Sequence, residues 1–169
     1  MASGGADKAP VVVAYDGSPA ARQAVVDAAK ILGSCPVLVV TVWEEGLAYA
    51  SAPAPMQADG LSMGPMVDPE VAREVDHGLH QQAEQVSGEG AALARSPGLD
   101  AQQLAMPDEG NVAETILTLV RERRAVAVVV GSRGLSGIRA KLEGSTSKAL
   151  LKHAPCPVIV VHGADEERD

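Results

Sequence analysis

Three glycines and one serine near the carboxyl end of the chain have the residue types and spacing to hold a phosphate group. They follow the pattern G-x2-G-x9-G-S and are Gly131, Gly134, Gly144 and Ser145. A β-branched run, Ala125–Val130, predicts a buried strand before them, and Ser147–His153 predicts a helix after them. Glycines let the backbone approach a ligand, and a helix start offers unpaired N–H donors to an anion. The sequence therefore predicts a phosphate-binding loop, which in a chain of net charge −8 also carries three cations, Arg133, Arg139 and Lys141.

The segments around this loop alternate between strand and helix along the chain. Strands are predicted at Val11–Tyr15, Val37–Val42, Ala101–Ala105, Ala125–Val130 and Val158–Val161. Four helices lie between them, beginning after Ser18, near Pro69, after Asn111 and at Ser147. Connections of this length join parallel strands, so we expect one open parallel sheet. In such a sheet ligands bind beyond the carboxyl ends of the strands.

Apolar side chains at helical spacing predict the face that each helix buries. For the first three helices they are Ala24, Val25, Ala28, Ala29 and Leu32; Val71, Val75, Leu79 and Val86; and Val112, Ile116, Leu119 and Val120. Residues 43–69 show no periodicity and are expected to form one long loop. We further expect a disordered leader at residues 1–9, a single domain at 10–163 and an acidic tail at 164–169.

Four blocks of this sequence, taken in order, resemble the universal stress protein family. They are VVVAYDGSPAARQAVVDAAKIL, VLVVTVWE, PDEGNVAETILTLVRERRAVAVVVGSRG and the glycine motif itself. The resemblance covers roughly Val11 to His162. It implies an open five-stranded parallel sheet in the order 3-2-1-4-5 with helices on both faces, a Rossmann-like fold similar to that of the adenine nucleotide alpha hydrolases.

The same resemblance implies a site for ATP or another adenine nucleotide, with or without Mg²⁺. Asp16 would accept hydrogen bonds from the ribose or hold Mg²⁺ through water, and this ligand role is favoured over the alternative, a purely structural Asx-turn with Gly17. Val42 would form a wall of the base pocket and offer its backbone to the adenine edge. Tyr15 stands where the family more often has a small or aliphatic residue, and would stack near the base or crowd it. The complete set of expected binding residues is Ala14, Tyr15, Asp16, Val42, Val130, Gly131, Arg133, Gly134, Gly144, Ser145 and Thr146.

Composition excludes several other classes of protein. The acidic balance argues against a nucleic acid or an anionic membrane as the main partner. No apolar run approaches the roughly 20 residues of a membrane helix, and the first ten residues lack the apolar stretch of a secretory signal. Two cysteines, Cys35 and Cys156, form no metal-binding or redox motif. These features predict a cytoplasmic protein.

Two functions remain open. The favoured one is an ATP-binding stress-response or signalling module, and the alternative is a slow ATPase or self-phosphorylating enzyme that uses the same loop. Phosphoryl transfer requires a positioned base and a metal clamp, and beyond Asp16 the sequence places no further acidic residue or histidine at the phosphate end. The binding module is therefore the prediction.

The last predicted strand suggests how copies of the chain associate. Val158–His162 carries no charged side chain and lies at one edge of a sheet of this order. An exposed apolar edge is prone to aggregation unless it is covered, charged or paired. The sequence therefore predicts a homodimer formed through this strand, with a monomer whose edge is shielded by other elements as the alternative.

Overall fold

The computed structural model describes residues 8–33, 35–50, 56–58, 61–63, 67–108, 110–132 and 145–162. Its strands are β1 (Val11–Ala14), β2 (Val37–Trp43), β3 (Met56–Ala58), β4 (Leu61–Met63), β5 (Ala101–Pro107), β6 (Ala127–Gly131) and β7 (Val158–Val161). Five of them form one sheet in the order β5-β2-β1-β6-β7, and every neighbouring pair is parallel. Counted along the chain without the short β3 and β4, this is the order 3-2-1-4-5, so the predicted topology is confirmed.

The helices are α1 (Pro19–Leu32), α2 (Leu47–Ala50), α3 (Pro69–Arg95), α4 (Val112–Glu122) and α5 (Ser145–His153). The cap predicted at Ser18 forms as expected, and Asn111 caps α4 in the same way. Ser18 Oγ accepts the N–H of Ala21 at 3.1 Å, and Asn111 Oδ1 accepts the N–H of Glu114 at 3.0 Å. Each cap satisfies one of the N–H groups that a helix start leaves without an internal partner.

Two apolar cores cover the two faces of the sheet. Val11, Val13 and Val39 pack against α1 and α3, whereas Val12 and Val40 pack against α4 and α5. This alternation follows from the two-residue period of a strand and explains why the strands are almost continuous runs of valine. The two cysteines are free and half-buried, Cys35 against the first core and Cys156 against the second.

The buried face of α3 differs from the predicted one. Val71 and Val75 are 52% and 36% exposed, and the helix instead buries small residues, namely Ala72, Ala83, Ser87, Gly90, Ala91 and Ala94. Val112, also expected inside, is 37% exposed at the start of α4. The predicted faces of α1 and of the rest of α4 are correct, since Ala24, Val25, Ile116 and Leu119 are buried.

Residues 43–69 contain short elements where one long loop was expected. Trp43 ends β2, α2 follows after a turn at Gly46, and β3 pairs with β4 in an antiparallel hairpin. Contacts with α3 hold the beginning of this segment. The Trp43 ring lies 5.6 Å from the ring of His80, and Asp76 Oδ1 accepts the N–H of Gly46 at 2.9 Å.

None of the described helices combines the length with the apolar character needed to cross a membrane.

Candidate functional site

Half-buried apolar side chains lie on one face of the sheet at the carboxyl ends of β1, β2 and β5. On the face that packs against α4 and α5, the residues nearer the amino ends, such as Val12 and Val40, are fully buried. At the carboxyl ends of the same strands, Ala14, Val42 and Met106 are only half-buried. Val42 is directly opposite Met106 in the ladder. We call these three residues the carboxyl-edge floor; they offer a flat apolar surface where ligands of open parallel sheets bind.

The turn between β1 and α1 places Asp16 beside this floor. Asp16 Oδ1 accepts the N–H of Ser18 at 3.0 Å, and Gly17 adopts a φ of 78°. This arrangement is an Asx-turn, so the structural role proposed for Asp16 is confirmed. A carboxylate has two oxygens with several acceptor positions, and the turn leaves Asp16 half-buried at the edge of the sheet.

Thr41 fixes the backbone just before Asp16. Its Oγ1 donates a hydrogen bond of 2.8 Å to the carbonyl of Tyr15, and the N–H of Tyr15 donates to the carbonyl of Val40 at 2.9 Å. Thr41 is buried, so this hydroxyl has been removed from water to make the contact. The end of β1 is therefore anchored to β2 by both the backbone and a side chain.

The ring of Tyr15 lies on the opposite face of the sheet from the carboxyl-edge floor. It is 2% exposed and packs in the core with α1 and α3, next to Val39 and Gly90. Burial raises the pKa of its phenol above the ordinary value. The charge of Arg22 lowers this pKa and that of Glu89 raises it, both by smaller amounts. The ring is thus a core residue rather than a platform for a base over the floor. What Tyr15 contributes to the carboxyl edge is its backbone.

Gly131 ends β6 where the strand passes close to α1. A Cβ at this position would lie 2.8 Å from the carbonyl carbon of Ala20 and 2.9 Å from the backbone nitrogen of Ala21. These are backbone atoms of α1, so relieving the contact would require a shift of the helix itself. The glycine is therefore required by packing against α1, and a bulkier residue here would disturb the fold as well as any ligand site. Val130, one residue earlier, is buried in the core under α4 and α5.

The remaining predicted residues divide between α5 and the segment before it. Ser145 is the first residue of α5, two positions earlier than predicted, and is exposed, whereas Thr146 is half-buried. Arg133, Gly134 and Gly144 lie outside the described residues. The structure accordingly gathers six predicted residues at the ends of three adjacent strands and two at the start of α5.

Sequence reasoning missed two residues at this edge. Thr41 is a single polar residue inside the apolar run VLVVTVW, and that interruption was the available signal for a buried hydroxyl. Met106 completes the carboxyl-edge floor, but the strand that carries it was predicted to end at Ala105. Among the described residues, no group of three or more His, Cys, Asp or Glu side chains is arranged to hold a metal ion.

Solved structures share the fold at low sequence identity. A universal stress protein from Lactobacillus plantarum is 20% identical with a TM-score of 0.64, covering 91% of this chain and 98% of its own. One from Archaeoglobus fulgidus in complex with dAMP is 21% identical with a TM-score of 0.56, covering 90% and 96%. One from Arabidopsis thaliana with AMP bound is 19% identical with a TM-score of 0.57, covering 95% of each chain. At these identities the likeness establishes the fold alone.

Sequence comparison identifies the family. A universal stress protein of Thermus aquaticus is 32% identical over 153 residues, which is 89% of this chain and 96% of the relative. One of Mycobacterium tuberculosis is 32% identical over 168 residues, so this chain spans 50% of the length of that relative. The sequence profile of the universal stress protein family matches residues 9–162. The chain therefore belongs to the universal stress protein family.

Proposed function

We propose that this protein binds an adenine nucleotide, in the first place ATP, at the carboxyl edge of its sheet. The observation that carries the proposal is the half-buried apolar strip of Ala14, Val42 and Met106 beside the acidic turn at Asp16. A purine needs an apolar surface for its face and a few polar groups for orientation, which is the usual composition of a small-molecule site. Asp16 would accept hydrogen bonds from ribose hydroxyls or hold Mg²⁺ through water.

The backbone of Val42 supports this position for the base. The carbonyl of Val40 accepts the N–H of Tyr15, just beyond β1, and the carbonyl of Trp43 accepts the N–H of Asp108, just beyond β5. The backbone groups of successive strand residues point to opposite sides, so those of Val42 point to the same side as those of Val40. The N–H and C=O of Val42 therefore face the β1 side, past the last residue of that strand. A donor and an acceptor side by side match the edge of adenine.

The phosphates would extend toward β6 and α5. Ser145 and Thr146 form the first turn of α5, where backbone N–H groups and the helix dipole favour an anion. In the proposal Arg133, Gly134 and Gly144 complete the phosphate site. The relatives from Archaeoglobus fulgidus and Arabidopsis thaliana, solved with dAMP and AMP, support an adenine nucleotide as the ligand class. The protein would act as a nucleotide-dependent stress-response module of the cytoplasm.

The first test combines detection of the nucleotide with a variant of the floor. Mass spectrometry of protein purified gently and then denatured should release an adenine nucleotide. In calorimetric titration Ala14→Leu, which fills the floor with apolar atoms, should weaken ATP binding at least about tenfold, or about 1.4 kcal/mol. The control is Val126→Leu, which adds a methylene at an exposed position before β6. Equal ATP affinity in folded Ala14→Leu and wild-type protein would refute the location.

A second test separates the two roles of Asp16. Asp16→Asn keeps an oxygen that can accept the N–H of Ser18 but removes the charge, so the turn survives. If Asp16 acts through Mg²⁺, Asp16→Asn should weaken ATP strongly and AMP little. If it meets the ribose, ATP, ADP and AMP should weaken alike. Unchanged affinity for all three nucleotides would leave Asp16 with its turn role alone.

We also propose that β7 forms a homodimer contact. The carbonyl of Pro157 accepts the N–H of Val128 in β6, and the carbonyl of Val161 accepts the N–H of Ser132, just beyond β6. By the two-residue alternation, the backbone groups of Val158 and Val160 point away from β6 toward the open edge. Val160→Pro removes one outward donor while leaving the β6 ladder intact, because proline is tolerated on edge strands. Sedimentation should show a dimer for the wild type and a shift toward monomer for Val160→Pro. A wild-type monomer at micromolar concentration would refute the contact.

A further inference from the structure

A cavity of about 430 Å³ lies at the amino ends of the strands, at the opposite edge of the sheet from the carboxyl-edge floor. The residues that precede β1, β2 and β5 form its walls together with the end of α4, and the buried Val37 and Leu38 lie among its lining residues. At about 3.3 Å per residue, the length of the strands separates this cavity from the proposed nucleotide site. A volume of this size is within the range of small-molecule sites.

Charged side chains line this amino-edge cavity without pairing to one another. The cations are Lys8, Arg123 and Arg124, and the carboxylates are Asp100 and Glu122. Within the described part of the chain, none of these five side chains makes an ion pair or a side-chain hydrogen bond, whereas Arg22 and Lys30 elsewhere do. In a chain of net charge −8, three cations at one cavity reverse the local sign of the charge.

The end of α4 fixes the backbone of Arg124 at the cavity. Its φ is 49°, and it is the one non-glycine residue in the left-handed region among the residues that the structure describes. The N–H of Ala125 donates to the carbonyl of Val120 at 2.9 Å, and the N–H of Arg124 donates to the carbonyl of Arg121 at 3.2 Å. These two bonds close the helix with a left-handed residue, a common helix ending, and they fix the backbone that carries this long cationic side chain.

We propose that the amino-edge cavity binds a small phosphate ester that carries hydroxyl groups. Lys8, Arg123 and Arg124 supply donors for the phosphate, and charge-assisted hydrogen bonds of this kind are the stronger ones in proteins. Asp100 and Glu122 accept hydrogen bonds from the hydroxyl groups, and the half-buried Pro10 and Pro36 contact the carbon atoms. The site is separate from the proposed nucleotide site and does not depend on it.

Calorimetric titration with glycerol 3-phosphate tests the proposal, with uncharged glycerol as the ligand control. The wild type should bind one equivalent of the phosphate ester saturably and should not bind glycerol. Arg124→Gly removes a cation and places the preferred residue at a left-handed helix end, so it should bind about tenfold more weakly while its melting temperature stays at or above that of the wild type. Arg121→Gln is the matched control, since Arg121 is exposed on the last turn of α4 and does not line the cavity. This variant should bind like the wild type.

Three results would overturn the proposal. One is no saturable binding by the wild type, and another is equal affinity in Arg124→Gly and the wild type. The third is loss of glycerol 3-phosphate binding in Ala14→Leu, which would assign the ester to the carboxyl edge. Retained binding in Ala14→Leu supports the amino-edge cavity, whatever that variant does to ATP. The two proposed sites can therefore fail independently.

Discussion

Replacing Gly90 by alanine should destabilise the fold, although alanine is the better helix former. Gly90 lies inside α3, where the helix crosses β1 and β2. A Cβ built on it would lie 2.8 Å from Cγ and Cδ1 of Tyr15 and 2.8 Å from Cγ1 of Val39. Tyr15 is 2% exposed and Val39 is fully buried, so neither side chain has free space to move into.

Two further glycines of α3 set the magnitude. A Cβ on Gly78 meets no atom within 4 Å, and one on Gly88 lies 3.1 Å from Oε1 of the flexible, exposed Gln103. Alanine at either position should stabilise the helix by about 0.5–1 kcal/mol. At Gly90 the same gain is opposed by an overpacking cost of about 1–3 kcal/mol. We expect a net loss of up to about 2.5 kcal/mol for Gly90→Ala, and a difference of about 1–3 kcal/mol between Gly90→Ala and the other two variants, because the helix gain is common to all three.

Urea denaturation of the wild type and the three single variants measures these free energies of unfolding directly. Thermal melting should separate Gly90→Ala from Gly78→Ala by several degrees, since each kcal/mol shifts a chain of this size by roughly 2–4 °C. Replacing Tyr15 by leucine should relieve part of the clash, so the cost of Gly90→Ala should shrink in that background. If Gly90→Ala proves as stabilising as Gly78→Ala at an unchanged denaturant slope, the close packing of α3 on Tyr15 is wrong.

Three further variants test the backbone and the core near the carboxyl edge. Tyr15→Phe removes a buried hydroxyl that has no partner among the described residues, so it should stabilise the protein by about 1 kcal/mol. Because burial raises the pKa of Tyr15 above 10.0, the folded state keeps a proton that the unfolded chain loses. The free energy of unfolding of the wild type should fall as the pH rises above about 10, and this contribution should be absent in Tyr15→Phe. Urea titrations of both proteins at several pH values measure the difference. Gly131→Ala should lose about 1–3 kcal/mol in the same assay, and a stability equal to wild type would contradict the close approach of β6 to α1. Thr41→Val should lose about 1 kcal/mol while Thr41→Ser loses less, and equal losses would show that the hydrogen bond to Tyr15 contributes nothing.

The topology could be predicted because its signals are long and mutually consistent. Valine runs mark β1, β2 and β6, and the caps at Ser18 and Asn111 mark the starts of two helices. Parallel connection and strand order then follow from the lengths of the crossovers and from the resemblance to the family. The prediction of β5 was nearly complete, although it ended at Ala105 instead of Pro107.

The buried face of α3 could not be predicted from apolar spacing because size, rather than apolarity, decides it. A helix of 27 residues is about 40 Å long, whereas a strand of 7 residues spans about 23 Å. Val71 and Val75 lie in the first turns of the helix and remain largely exposed. Where α3 does cross the sheet, the ring of Tyr15 takes up the available space, and the residue opposite it is Gly90, which has no Cβ.

The elements inside residues 43–69 were missed for a different reason. Helices and strands of three or four residues are too short to show a period, so the pattern of apolar residues carries no information about them. The available sequence signal was Asp59-Gly60, a pair typical of two-residue hairpin turns, between Met56–Ala58 and Leu61–Met63. The position of Gly46 depends on a hydrogen bond to Asp76, 30 residues away along the chain, and the pattern of neighbouring residues cannot predict such a contact.

The two faces of the sheet explain why the candidate site lies where it does. The helices on the face of Tyr15 bury mainly small residues, Ala21, Ala24, Ala28, Ala91 and Ala94, which allow a close approach to the strands. The helices on the other face bury mainly larger ones, Ile116, Leu117, Leu119, Val120 and Leu150. The first face is filled to the carboxyl edge by the tyrosine ring, and that filling requires Gly90. The second face carries only Ala14 at the end of β1, and in the described part of the chain Ala14, Val42 and Met106 remain half-buried there. Because alternation along the strand sends the ring of Tyr15 to the other side, this ring does not occupy the carboxyl-edge floor.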